Sequence, residues 1–268
     1  MNNYKNIILL FFLSFTFFSS AIAREESPYL YNNPLITPTI RHAIRPYLLP
    51  KKHPTYSKLN EIFQKSRPII DDHALEQAGF TILHRKPRSF IRVVKHPKLP
   101  GYLLKVNLDS ETRLKQRKPA WHWLVNRCKG AAKVKQAIKR VHSQFFDVAH
   151  KWIYVVPTNP PAPVGPGFSP QPIVLVVEDM DIHKLSVSKE AWRSRFTPRH
   201  LDELFAIVSI AGGSSYRPDN VSLRKNGKFA FIDTEYPNRS PDYNEISSQL
   251  NPFMRIYWHN LMVNYGIQ

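Results

Sequence analysis

The stretch YRPDNVSLRKNGKFAFIDTE, residues 216–235, decides the predicted fold. Within it, residues 221–224 and 229–232 have the composition of two short β-strands. The Asn226-Gly227 pair between them is typical of a tight turn whose residues need positive φ angles. This stretch is therefore predicted to form a β-hairpin.

Polar side chains lie at both ends of the predicted hairpin. Asn220 comes directly before the first strand, and Asp233 comes directly after the second. Closing the hairpin brings this amide and this carboxylate together. Two hard oxygen ligands at such a distance suit Mg²⁺.

The order of these motifs resembles the catalytic and metal-binding segments of the protein-kinase-like superfamily, which includes small-molecule kinases. In that family the pattern is H-x-D-x-x-x-x-N, a hairpin, and then D-F-G or I-D-x-E. This chain has RPDN at residues 217–220, the hairpin, and IDTE at residues 232–235. The resemblance implies that Asn220 and Asp233 are metal ligands, for Mg²⁺ or Mn²⁺ bound together with ATP.

The catalytic part of the family pattern is altered. Five residues before Asn220, where the family has its catalytic aspartate, this chain has Ser215. A serine cannot accept the proton of a substrate hydroxyl as a carboxylate does. If phosphoryl transfer survives, Asp219 is the nearest candidate for an unusual base.

Three strand-like runs, residues 80–83, 90–94 and 102–106, match the order expected for the first sheet of a kinase-like small lobe. Lys105 lies inside the third run, much like the lysine of the family's V-A-I-K strand. The resemblance implies that Lys105 holds the phosphates of a nucleotide. A strand lysine that points to solvent is the alternative.

Two features depart from the family pattern. The turn at residues 84–88 contains no glycine, so backbone amides cannot approach a phosphate closely, although basic side chains can substitute as point charges. The amphipathic helix predicted at residues 130–149 contains no glutamate to pair with Lys105, which leaves Glu111 as a weak candidate. Its basic face, between Lys133 and Arg140, is either a solvated surface or a site for phosphates or anionic lipid.

The middle of the chain has the order of a kinase hinge. A strand at residues 152–156 and a proline-rich exposed loop at 157–172 precede a buried strand at 173–177. The resemblance implies that backbone groups around Glu178 and Met180 meet the adenine of a nucleotide.

Two more helices complete the predicted fold. One begins near Pro198 and ends at Gly212-Gly213, with its apolar face under the hairpin. The last follows Pro241, and its predicted inward residues are Phe253, Ile256, Tyr257 and Leu261. Only 33 residues follow Glu235, which indicates a reduced large lobe.

The N-terminal part has the features of an exported protein. Residues 1–23 combine Lys5, an apolar run and an A-x-A-like end, which is typical of a signal peptide, and no other segment is apolar enough to span a membrane. Residues 24–67 are rich in proline and are predicted to be an extended arm with a short helix near 57–64; another helix starts at Asp71-Asp72. Cys128 is the only cysteine, so no intrachain disulfide forms, and a buried thiol is expected.

The net charge of +18 and the pI near 10.0 predict attraction to phosphates, acidic lipids or acidic proteins. The chain contains no pair of cysteines, no zinc-ligand spacing, no G-x-x-x-x-G-K-[ST] loop and no nucleic-acid motif. The sequence therefore lacks the motifs of zinc sites, of P-loop nucleotide-binding proteins and of nucleic-acid-binding proteins.

We therefore expect an α+β, two-lobed, protein-kinase-like fold with an antiparallel small-lobe sheet and a reduced helical large lobe. The kinase-like domain is expected at residues 68–268, with the small lobe and hinge at 68–180 and the large lobe at 181–268. Three functions remain open: a pseudokinase-type module with a nucleotide and metal pocket, an active ATP-dependent phosphotransferase, and a basic exported adhesion protein for anionic partners.

Overall fold

A computed structural model describes residues 27–213 and 215–267 of the chain. The predicted signal peptide at residues 1–23 lies outside the described residues. Within them, helices and strands are mixed, as expected for an α+β protein. No helix of this part of the chain combines the length and the apolar character needed to cross a bilayer.

Five strands form one antiparallel sheet in the order β1-β2-β3-β6-β5. They are β1 (Thr81–Lys86), β2 (Ile91–Lys95), β3 (Tyr102–Val106), β5 (Lys151–Val155) and β6 (Ile173–Glu178). The strands predicted in these places are confirmed. The predicted turn at residues 84–88 begins too early, because β1 continues to Lys86 after a register irregularity between Ile82 and His84.

Helices cover both faces of this sheet. On one face, α1 (Tyr29–Asn32), α2 (Pro38–Ile44) and α5 (Ala120–Arg140) pack against alternate strand residues such as Val93, Ile153 and Leu175. On the other face, α3 (Tyr56–Lys65) and α4 (Asp72–Gln77) pack against Leu104, Tyr154 and Val176. The period-two alternation of each strand therefore supplies two apolar cores.

Residues 24–67 differ from the extended arm expected there. The described part carries α1, α2, a 3-10 turn at Arg45–Tyr47 and α3, and only the helix near 57–64 was predicted. The prolines lie at positions that helices tolerate: Pro38 is in the first turn of α2, where the Thr37 side chain accepts from the amide of Ile40. Leu30 and Ile44 are fully buried against the sheet. Proline therefore starts helices here instead of keeping the chain extended.

The helix predicted at residues 130–149 is shifted in the structure. It begins at Ala120 and ends at Arg140, and residues 146–148 form β4 (Phe146–Val148) instead. Strand β4 pairs in parallel with one strand of the hairpin, and the hairpin itself is present as predicted. Its strands are β7 (Val221–Leu223) and β8 (Phe229–Phe231), and of the turn pair only Gly227 has a positive φ.

A third core lies around this three-stranded sheet. It is built from β7, β8, α6 (Leu185–Ser194), α7 (Pro198–Ala211), α8 (Tyr243–Ser248) and α9 (Pro252–Asn264). Helix α7 begins at Pro198 and ends at Gly212, which has a φ of 62°, as its sequence predicts.

The inward face predicted for the last helix is only partly confirmed: Tyr257 and Leu261 pack partly buried against the core, but Phe253 and Ile256 do not. Phe253 and Ile256 are 72% and 63% exposed, whereas Met254, Trp258 and Met262 are buried. Both sets recur at helical spacing, and tertiary packing decides between them. Trp258 is fixed inward because its indole N–H donates to the carbonyl of Tyr243 at 3.0 Å.

Candidate functional site

The site is organised by the close approach of α5 to the segment 232–235. Gly130 lies in the middle of α5, and a Cβ on it would stand 2.1 Å from the carbonyl oxygen of Thr234. Only glycine permits this approach. The Thr234 hydroxyl in turn donates to the carbonyl of Arg127 at 2.7 Å, which ties the segment to the helix.

Asp233 is held between two cations. The Arg127 Nε lies 3.2 Å from its Oδ1, and the Lys105 Nζ lies 3.9 Å from its Oδ2. Lys105 also donates to the carbonyl of Ile232 at 3.3 Å. Burial would raise the pKa of Asp233, but the charges of Lys105, Arg127 and Lys151 outweigh burial and hold this pKa below its ordinary value. Asp233 is therefore a carboxylate at every physiological pH.

Glu235 is paired in a similar way. Its Oε2 accepts from the Lys115 Nζ at 2.5 Å, and its Oε1 lies 2.7 Å from an amino nitrogen of Arg127. Arg127 is 2% exposed and thus bridges two carboxylates from inside the protein. Helix α5 thus supplies the arginine of these pairs, and the carboxylates come from the segment after the hairpin.

A third lysine lies behind Thr234. Lys151, at the start of β5, is buried and donates to the Thr234 hydroxyl at 2.9 Å. Burial, together with the charge of Lys105, lowers the pKa of Lys151 to about 7. Burial also lowers the pKa of Lys105 below its ordinary value, and Asp233 opposes that change. The interior beside Asp233 is thus rich in amines.

An open cleft of about 430 Å³ lies in front of these groups. Cationic side chains line it from three directions: Lys86 and Arg88 from the β1–β2 turn, Lys115 from the chain before α5, and Arg217 from the segment before β7. The other polar residues of the lining are Ser89, Ser215, Asp219, Asn220, Asp233, Glu235 and Tyr236. These cationic side chains therefore lie in the same cleft as Asn220 and Asp233, the residues at the two ends of the hairpin.

The predicted catalytic segment lies in this cleft. The Asn220 side chain donates to the carbonyl of Ser215 at 2.8 Å, and Ser215 has a positive φ of 71°. Asp219 lies 3.4 Å from the Arg217 Nε. Ser215, Asp219, Asn220 and Asp233 are thus brought together, with Lys105 directly behind Asp233.

The predicted hinge residues are not brought into the cleft. Met180 is buried, and its carbonyl accepts from the Arg224 Nε at 2.9 Å. The amide of Glu178 donates to the carbonyl of His150 at 3.0 Å. Neither residue lines the cleft, and Arg224 already occupies the acceptor at Met180.

Glu111 does not pair with Lys105. Its two carboxylate oxygens accept from Arg113 at 2.7 Å each. This expectation is corrected: the carboxylate nearest to Lys105 belongs to Asp233.

The residues around Asp233 do not fit a resident Mg²⁺ or Mn²⁺. Such an ion needs free oxygen ligands, but Asp233 is paired with Arg127 and Lys105, and Glu235 with Lys115 and Arg127. Across residues 27–213 and 215–267, no group of three or more His, Cys, Asp or Glu side chains is arranged to hold a metal ion. A divalent cation here would face several fixed positive charges at close range.

The roles of Arg127, Lys115 and Lys151 in the site were not predicted from the sequence. A usable signal exists for Arg127, which lies on the same helical face as the buried residues Trp123, Leu124 and Val134. A charged residue on an apolar face requires a buried partner. Cys128, the next residue, is buried as expected, and burial raises the pKa of its thiol to about 12, so it is unreactive.

Comparisons with known proteins give little further information. No protein-family profile matches the chain, and no curated protein matches it. Among solved structures, a MAP kinase from Leishmania major matches with a TM-score of 0.32 and 15% sequence identity. The match covers 65% of this chain and 52% of the kinase chain, so the chain spans about half the length of that kinase. A TM-score this low does not establish a common fold.

Proposed function

We propose that this chain is a kinase-like, pseudokinase-type module that binds a nucleoside triphosphate in the cleft and does not transfer its phosphate. The observation that carries the proposal is the cleft itself. It is lined by Asn220 and Asp233 together with Lys86, Arg88, Lys115 and Arg217, of which Lys115 pairs with Glu235 and Arg217 with Asp219. A polyphosphate is the ligand whose charge these cationic side chains complement.

The cationic residues take the place of two missing features of the resembled family. Lys86 and Arg88 lie at the turn where a glycine-rich loop would otherwise supply backbone amides. Lys105 and Arg127 neutralise charge beside Asp233, where a metal ion would otherwise do so. Binding through point charges is strong at low salt and weakens as salt screens it.

The groups that phosphoryl transfer would need are either replaced or already paired with other residues. Ser215 stands where the resembled family has its base, and general bases contribute roughly 10²- to 10⁴-fold. Asp233 is committed to two cations, and Glu111, the weak candidate partner of Lys105, is paired with Arg113. Both the base and the usual positioning of phosphates are therefore altered together.

Binding is tested on the purified chain with inorganic tripolyphosphate and with ATP, each in EDTA, by calorimetry and by thermal denaturation. Ligand at about one hundred times its Kd should raise the free energy of unfolding by about 2.7 kcal/mol. The Lys86→Ala/Arg88→Ala variant should bind less tightly. The matched control is Lys139→Ala/Arg140→Ala, which removes the same charge from exposed residues of α5 outside the cleft.

No stabilisation by millimolar tripolyphosphate or ATP, or equal weakening by both double variants, would contradict the proposal. Such a result favours the alternative of a basic adhesion protein that contacts anionic partners through a broad surface. Binding of an anionic protein partner in place of a nucleotide would favour that alternative too.

A second candidate function is active phosphotransfer, which is favoured by the position of Asp219 in the cleft beside Asn220. Transfer of radiolabelled phosphate, autophosphorylation included, decides between the two. The comparison uses wild type, Asp219→Asn and Asp233→Ala at high protein concentration. We expect no transfer from any form. Transfer that disappears in Asp219→Asn would make Asp219 the base and overturn the non-catalytic proposal.

Export is also part of the proposal and rests on residues 1–23. Expression of the whole chain in a secreting host and N-terminal sequencing of the mature protein test it. A mature chain that begins at Arg24 supports export, and an intact Met1 retained inside the cell contradicts it.

A further inference from the structure

A second cavity, of about 140 Å³, lies beside the cleft and has a different character. Its walls include the rings of Phe90, Trp121 and Trp123. Its floor includes Asn107, the first residue after β3, and one side is closed by residues 169–172 of the proline-rich loop. Its lining thus combines these rings with charged side chains, among them Arg113 and Lys118, and we call it the aromatic cavity.

Asn107 leaves one polar atom without a partner. Its side chain is buried, and its Nδ2 donates to the carbonyl of Phe90 at 3.2 Å, which fixes the orientation of the amide. Its Oδ1 has no hydrogen-bond partner in the protein. Since buried acceptors are normally satisfied, an N–H or O–H group of a ligand in this cavity would be stabilised there.

The two cavities share part of their walls. Ser89 and Lys115 line both of them. The Lys115 ammonium lies 4.8 Å from the centre of the Trp123 ring and pairs with Glu235 on the side of the cleft. A single ligand that passes Ser89 and Lys115 can therefore place a ring in the aromatic cavity and phosphates in the cleft.

The surroundings of Met180 are less suited to binding the base of a nucleotide than the aromatic cavity is. Met180 is buried, its carbonyl accepts from Arg224, and it is not part of the cleft. The aromatic cavity, by contrast, joins the cleft through shared residues and contains an acceptor in need of a donor.

We propose that the base of a nucleotide binds in the aromatic cavity, where it stacks on the partly exposed Trp121 ring and donates an N–H to the Asn107 Oδ1, while its phosphates occupy the cleft. The volume is close to that of an engineered cavity of about 150 Å³ that holds benzene. A single-ring base matches this volume, which favours a pyrimidine nucleotide as the ligand. The placement of the phosphates rests on the proposed function; the placement of the ring does not.

The test compares cytidine triphosphate, ATP and inorganic tripolyphosphate on the purified full chain in EDTA, by calorimetry and by quenching of tryptophan fluorescence. Stacking of one base on aromatic side chains should make cytidine triphosphate bind at least about tenfold more tightly than tripolyphosphate. Asn107→Leu and, separately, Trp121→Ala should bring this ratio close to one and leave tripolyphosphate binding unchanged. Trp121 is only partly buried, so its variant tests the cavity even if Asn107→Leu does not fold.

The outcomes separate the two proposals. Equal affinity for cytidine triphosphate and tripolyphosphate, with no quenching by the nucleotide, would overturn the ring site and keep the phosphate cleft. Tighter binding of ATP that is insensitive to Asn107→Leu and Trp121→Ala would also overturn it, because the base would then lie elsewhere. Quenching by cytidine triphosphate without any binding of tripolyphosphate would support the ring site and overturn the phosphate cleft.

Discussion

The guanidinium of Arg127 contacts the carboxylate of Asp233 at 3.2 Å, from the middle of a helix whose exposed face is itself basic. The same guanidinium lies 2.7 Å from Glu235. Since Arg127 and Glu235 are both buried, Glu235 cannot exchange this partner for bulk water without local rearrangement. Arg127 is therefore the residue that allows two acids to follow the hairpin at the bottom of a cationic cleft.

Arg127→Met should destabilise the protein strongly, because it leaves two carboxylates without their shared cation. Breaking a buried pair by removing one partner costs about 3–5 kcal/mol. Urea denaturation measures the change. A loss below about 0.5 kcal/mol in Arg127→Met would show that the ion pairs contribute little.

Gly130→Ala should also destabilise the protein, although alanine has a higher helix propensity than glycine. Alanine favours a helix interior over glycine by up to about 1 kcal/mol, so without tertiary contacts the variant would be more stable. The new Cβ would overlap the Thr234 carbonyl, which is backbone and cannot turn aside. We expect thermal denaturation at lower temperature and weaker tripolyphosphate binding, with Lys129→Ala, at an exposed neighbour, unchanged in both. Stabilisation by Gly130→Ala would mean that α5 and the segment 232–235 are further apart than the structure has them.

The features that were predictable from the sequence are those set by local chemistry. The hairpin follows from two short apolar runs around Asn226-Gly227, and the amide and carboxylate at its ends meet in the cleft as expected. The strands of the large sheet follow from their apolar runs. Helix α4 begins at Asp71, whose side chain accepts from the amide of Ala74, as the sequence indicates.

The features that were missed depend on tertiary contacts. The predicted helix begins at Gly130 because the apolar spacing begins at Ala131, whereas in the structure Gly130 lies inside α5 and the Thr234 carbonyl occupies the space of a side chain. In α9, two apolar faces compete, and the bond from Trp258 to Tyr243 decides the phase. Lys115 precedes α5 in an irregular stretch, so no periodicity links it to Glu235.

Arg67 and Asp109 form a buried pair that attaches the N-terminal segment to the sheet. The Arg67 Nε donates to Asp109 at 2.6 Å, and the guanidinium also donates to the carbonyl of Gln171 at 2.9 Å. Arg67→Met should cost about 3–5 kcal/mol in the free energy of unfolding, and Arg67→Met/Asp109→Leu should recover most of it. The matched control is Arg85→Met, whose pair with Asp72 is exposed and should contribute at most about 1 kcal/mol. Equal effects of Arg67→Met and Arg85→Met would contradict the buried role.

Asp233→Asn should strengthen the binding of tripolyphosphate in EDTA. The substitution removes a negative charge from the cleft and frees Lys105, whereas Arg127 keeps its contact with Glu235. We expect the same order of affinities with added Mg²⁺, since the residues at Asp233 do not fit a resident metal ion. If Asp233 instead holds a metal with the ligand, Asp233→Asn will weaken binding in Mg²⁺ while its affinity in EDTA stays at or above the wild-type value. Calorimetry of wild type and variant in both buffers distinguishes these cases.

Lys151 should make the stability of the protein rise with pH just above neutrality. Its pKa is about 7 in the folded protein, against an ordinary value of 10.5, because the amine is buried and lies near Lys105. Between these two pH values the unfolded chain binds a proton at this amine that the folded protein lacks, so the free energy of unfolding rises with pH, by at most about 1.4 kcal/mol per pH unit. Below pH 7 both states are protonated, and the contribution is constant. Lys151→Met removes this dependence. The difference in the free energy of unfolding between wild type and Lys151→Met should therefore be flat from about pH 5.5 to 6.5, below the folded pKa. It should then grow in favour of wild type up to about pH 8.5, where Cys128 begins to titrate in the unfolded chain. Lys129→Met, at an exposed position of α5, reports the effect of losing a lysine as such. A difference between wild type and Lys151→Met that stays constant over the whole range would mean that Lys151 keeps an ordinary pKa and that Thr234 and Asp233 hold it as an ammonium.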